Sequence, residues 1–116
     1  MSEQEAYGIE APEKIDTVAL APDQASVLLT MAQTTEWDGS DRLLRLLQAK
    51  WKSYIAFAVD GQLARMYPQF SHLPWKIVLW CQSEPDTRTM EFVRRADEAT
   101  RQEGGQFILW RQGEKL

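Results

Sequence analysis

Apolar residues recur with helical spacing from Ser40 to Val59, SDRLLRLLQAKWKSYIAFAV. A turn of about 100° per residue gathers Leu43, Leu44, Leu47, Trp51, Tyr54, Ile55 and Ala58 on one side. Leu46 and Phe57 widen that side to nearly half the cylinder, and Arg42, Arg45, Ala49, Lys52 and Ser53 fill the rest. A helix lying on one sheet needs a stripe of only roughly 100°, so the pattern predicts contact with a sheet and with a second helix. Lys50 falls inside the apolar arc, which predicts a stem laid along the core and an ammonium snorkelling outward.

Before this run the chain reads as strands. Ile15 to Leu20 and Ala25 to Gln33 flank Ala21-Pro22-Asp23-Gln24, a turn-forming sequence, and predict a hairpin. Thr34 to Gly39 leads into the helix, with Asp38 or Ser40 as its N-cap and Asp41 complementing the dipole. Asp60-Gly61 stops the helix, and Gln62 to Tyr67 forms one further turn ended by Pro68. Lys76 to Gln82 predicts a strand apolar on both faces. Ser83 opens a second helix over Thr87 to Glu103, with Met90, Phe92, Val93, Ala96 and Ala99 inward. Gly104-Gly105 ends it before a last strand, Gln106 to Arg111.

The order is β-β-α-β-α-β. The final strand, helix and strand form a right-handed parallel crossover. The expected fold is an α/β (α+β) two-layer sandwich: a four-stranded mixed sheet with two helices on one face. Residues 1–13 read as a flexible acidic N-terminal segment and 14–112 as a single αβ domain. Two helices cover one sheet face only, so an apolar set containing Trp80 or Trp110 points away from them. Tyr7 and Ile9 are candidates to cover it, and a partner or second copy is the alternative.

With 116 residues the chain buries roughly two thirds of its unfolded surface, enough for a core without staples. No apolar run approaches the ~20 residues of a membrane span. The first residues, MSEQEAYGIE, lack the basic and apolar regions of a signal peptide, and one cysteine excludes an internal disulfide. Both point to a reducing cytoplasm. Charge is segregated. Residues 1–41 hold nine carboxylates against Lys14 alone, whereas residues 42–116 hold eight against twelve Lys and Arg, for a net of −4. An acidic protein is a poor match to nucleic acid, whose binding runs on phosphate neutralisation, and a better match to a basic partner.

The hairpin, then Trp37-Asp38, the Leu-rich run from Leu43 to Phe57, Gly61-Gln62-Leu63 and Tyr67-Pro68 together resemble a family of small bacterial proteins with a domain of unknown function. The resemblance covers roughly residues 14–110. It implies a compact αβ fold and a bacterial source, and supplies no activity or catalytic residue.

Candidate chemistry is sparse. His72 is the only histidine and lies in the loop QFSHLP; Cys81 is the only cysteine and lies in an apolar strand. A reactive thiol needs an electropositive, partly exposed setting, so Cys81 reads as a buried inert thiol. One His and one Cys do not make a zinc site, and no cofactor motif is present. Glu36, Asp38 and Asp41 surround Trp37 at a helix start but lack a calcium loop's ligand spacing, so no metal is expected. With nearby Trp75 they form the candidate partner-binding set. The expectation is a non-enzymatic protein-binding protein of a bacterial cytoplasm, most concretely an immunity or inhibitor protein masking a basic toxin domain. The alternatives are a small enzyme or small-ligand domain using His72, and a homodimer joined through the sheet.

Overall fold

A computed structural model of the chain describes residue 12 and residues 14–114. The long periodic run folds as helix α1, Asp41–Val59, behind strands β1, Thr17–Leu20, and β2, Val27–Gln33. A short helix α2, Gln62–Met66, and a single 3₁₀ turn, Pro68–Phe70, lead to β3, Trp75–Cys81. Helix α3, Thr87–Gln102, and strand β4, Gln106–Arg111, complete the order. The sheet runs β1-β2-β3-β4. β1 is antiparallel to β2, and β2, β3 and β4 are mutually parallel. The expected four-stranded mixed sheet and its helix layer are therefore present, and the further turn expected from Gln62 folds as α2.

Alternation along the strands divides the sheet. Val27, Leu29 and Met31 of β2, Ile77, Leu79 and Cys81 of β3, and Phe107 of β4 join the core beneath the helices. From α1, Leu43, Leu47, Tyr54 and Phe57 meet them, and from α3, Val93 and Ala96. The buried face of α3 also carries Thr89 and Thr100 rather than Ala99, which is exposed. Both threonines bury their hydroxyls satisfied: Thr89 donates to Asp86 at 2.7 Å, and Thr100 donates to the Ala96 carbonyl at 2.6 Å while accepting from the Trp51 indole at 2.9 Å. Trp51 further meets Phe92 edge-on at 6.1 Å, so α1 does reach a second helix as its wide stripe predicts.

The opposite sheet face carries Leu28, Val78, Trp80, Ile108 and Trp110, and no described helix lies on it. Trp80 and Trp110 are register partners there, both half-buried. Tyr7, Ile9 and nearly all of the acidic N-terminal segment lie outside the described residues.

Lys50 corrects the snorkelling expectation. It is fully buried, and its Nζ meets Asp16 Oδ1 at 2.8 Å, with the Asp16 side chain 5% exposed. Asp16 lies just before β1, turned inward with Ile15, which is why the strand begins at Thr17 rather than Ile15. Its backbone N–H donates to the Tyr54 hydroxyl at 2.9 Å, and that hydroxyl donates to the Thr30 carbonyl at 2.9 Å. A partner supplied from the sheet removes the need for the ammonium to reach water.

The caps are also now assigned. Ser40 Oγ accepts from Leu43 N–H at the start of α1, and Asp38 accepts from Ser40 N–H instead of capping. At α3 the cap is Asp86, accepting from Thr89 N–H, and not Ser83, whose buried hydroxyl has no hydrogen-bond partner.

Candidate protein-binding edge

In a parallel sheet every loop that follows a strand lies on the same edge. The turns after β2, β3 and β4 therefore meet, and the N-termini of α1 and α3 open there. That edge gathers Glu36, Asp38 and Asp41 with three carboxylates that sequence reasoning did not group with them: Glu84, Asp86 and Glu114. Arg42, Arg88 and Arg111 are the cations of these segments. Arg88 ties the two helix starts together, donating to the Gly39 carbonyl at 2.9 Å and to Asp41 at 2.7 Å. Arg111 grips Glu84 through two hydrogen bonds of 2.8 and 3.1 Å.

The environment keeps these carboxylates ionised. The Ser40 hydroxyl and N–H hold Asp38 below the ordinary carboxylate range. Arg88 does the same for Asp41, and Arg111 for Glu84. Burial pushes Asp86 up, but the hydroxyl and N–H of Thr89 outweigh it and the net shift is downward. Because Asp38 turns to Ser40 and Asp41 to Arg88, the acids around Trp37 do not converge on a point. No group of three or more His, Cys, Asp or Glu is placed to hold a metal among the described residues.

The two tryptophans of the candidate set are not neighbours. Trp37 follows the carboxyl end of β2, whereas Trp75 opens β3 at the amino end. Trp75 lies over Gly105, where a Cβ would collide with its ring, so the second glycine of Gly104-Gly105 makes room for an indole. Trp37 is half-buried against the core beside Cys81, and its indole N–H is buried without a hydrogen-bond partner of good geometry.

Cys81 is fully buried, as expected, and burial pushes its thiol up to about 11. His72 is exposed beside a cleft of about 340 Å³ at the amino end of the sheet, and no carboxylate lines that cleft. The six steps of β3, at about 3.3 Å each, put roughly 20 Å between that end and Cys81, so the two residues cannot share a proton.

Fold and edge together define a class: an α+β sandwich, its helices on one sheet face, with acid concentrated where the parallel strands end. The chain belongs to the family of unknown function DUF6572, whose profile matches residues 7–111. That span starts earlier than the resemblance in the sequence and takes in Tyr7 and Ile9. No curated protein and no solved structure matches the chain. No helix among the described residues is long and apolar enough to cross a membrane.

Proposed function

We propose that this is a protein-binding protein whose acidic edge docks a basic protein surface. An inhibitor or immunity protein masking a cationic toxin domain in a bacterial cytoplasm is its concrete form. The observation that carries the reading is the gathering of Glu36, Asp38, Asp41, Glu84, Asp86 and Glu114 at one end of the sheet against three arginines. A net-negative rim of this kind speeds encounter with an oppositely charged surface and sets the salt dependence of association. Trp37 would contribute beneath the rim: it is half-buried against the core, and its buried N–H is available if the loop shifts on binding.

The test compares the native protein with Glu36→Gln/Asp38→Asn/Glu84→Gln in quantitative affinity capture from the native host. The reading expects a basic protein whose association rate falls steeply with salt, and an association rate at least tenfold lower for the triple variant. Asp38 and Glu84 hold neighbouring groups, so matched circular dichroism and urea melts must accompany the comparison. A captured partner that binds both proteins equally excludes this edge as the site.

A further inference from the structure

Between the two long helices, a groove next to the acidic edge is lined by more cations than carboxylates. Helices α1 and α3 each run from the carboxyl end of one parallel strand to the amino end of the next, so they lie parallel to one another. Between their first halves is a groove of about 590 Å³ floored by Leu44 and Phe92, both half-buried. Three arginines line it, Arg45 from α1 and Arg88 and Arg95 from α3, against Asp41 and Glu91. Both carboxylates are already engaged. Asp41 holds Arg88 at 2.7 Å, and Glu91 holds Arg94 at 2.7 Å and Arg95 at 3.8 Å. Arg45 makes no hydrogen bond or ion pair among the described residues, and Arg95, 73% exposed, has only that long contact. Beyond the Trp51–Phe92 contact lies a separate hollow of about 460 Å³ lined by Ile55, Ala56, Val59 and Ala99 with Lys52, Asp60 and Glu103, so the excess of cations is confined to the first groove. The two hollows follow one another along α1, whose 19 residues span about 28 Å.

An apolar floor flanked by incompletely neutralised cations on both walls suits an anionic amphipathic ligand. We propose that this groove docks an acidic amphipathic helix of a partner protein, its apolar stripe on Leu44, Phe92 and Trp51 and its carboxylates on Arg45 and Arg95. The proposal is independent of the acidic edge: the Asp41–Arg88 pair lies on the boundary between the two surfaces, and opposite charges serve them.

The probe is a displayed library of 18-residue helices with a fixed apolar stripe and Glu or Lys at each flanking position. Selection on the full chain is expected to enrich Glu over Lys. The winning peptide, synthesised, should bind with an affinity that falls with salt and should shift the backbone amides of Leu44, Arg45, Gln48 and Phe92. Arg45→Glu and Arg95→Glu should each weaken it at least tenfold, with circular dichroism unchanged. Should Arg45→Glu unsettle α1, Arg45→Gln removes the charge without reversing it and should still lower affinity severalfold. Glu36→Gln/Asp38→Asn/Glu84→Gln should leave this peptide's binding unaltered, which separates the two surfaces. Equal recovery of Glu and Lys helices, affinity indifferent to Arg45 and Arg95, or amide shifts confined to the Trp80–Trp110 face or the Glu36–Glu84 edge would each overturn the proposal.

Discussion

Replacing Lys50 with Met keeps an unbranched side chain, one atom shorter, and removes the charge, leaving the Asp16 carboxylate, 5% exposed, without the ammonium 2.8 Å away. Breaking a buried ion pair from one side costs about 3–5 kcal/mol, because the surviving charge stays desolvated. A domain of this size has about 5–15 kcal/mol in total, so Lys50→Met removes a large share of it. At a urea slope of about 1.5–2 kcal/mol/M the midpoint should fall by roughly 2 M. Asp16→Leu should cost a similar amount from the other side. The double variant Asp16→Leu/Lys50→Met removes both charges and should recover most of the loss, giving a coupling of at least about 2 kcal/mol in the double-mutant cycle. Tyr54→Phe isolates the neighbouring hydroxyl. It strands the Asp16 N–H and the Thr30 carbonyl and should cost about 1–3 kcal/mol. The assay is urea unfolding followed by circular dichroism and tryptophan fluorescence. Single variants that each lose less than about 1 kcal/mol, or losses that simply add in the double, would refute the buried pairing.

Native Cys81 should react slowly with a thiol reagent and fully once denatured, since burial pushes its thiol up to about 11; stoichiometric labelling within seconds would contradict its position under the helices. Asp86→Ala should cost about 1 kcal/mol as a lost helix cap, whereas Ser83→Ala, which removes an unpartnered hydroxyl, should be neutral or slightly stabilising in the same urea assay. Asp38, Asp41, Glu84 and Asp86 have folded pKa values below their ordinary ones, so the stability they contribute is present above the usual carboxylate range and is lost as pH falls through the depressed values. Urea midpoints should therefore vary little from these groups between pH 5 and 8 and fall below about pH 4; midpoints that rise on acidification through that range would show the wrong sign of shift.

The edge shows how a site can be half legible. Glu36, Asp38 and Asp41 are adjacent in the chain, and their clustering needs no fold. Glu84 and Glu114 join them only because β2, β3 and β4 run parallel, which brings the turns after all three strands to one end. The predicted parallel crossover of the last two strands already implied part of this grouping. Only the parallel pairing of β2 with β3 puts Trp75, at the start of β3, at the other end from Trp37.

Periodicity along the chain determined the number and order of strands and helices. It also determined the apolar arc of α1 and the stops at Gly61 and Gly104, because side-chain spacing and backbone conformation are local properties. The outcome at Lys50 was decided elsewhere. A lysine inside an apolar arc has two solutions, to reach water or to find a buried anion, and they are identical in local sequence. The anion is Asp16, 34 residues away, and only the pairing of the sheet brings it beneath the helix. The same holds for the choice of Asp86 over Ser83 as cap and for the depth of Trp37 beside Cys81. Each turns on the distance between groups remote in sequence, which chain closure sets and residue type does not.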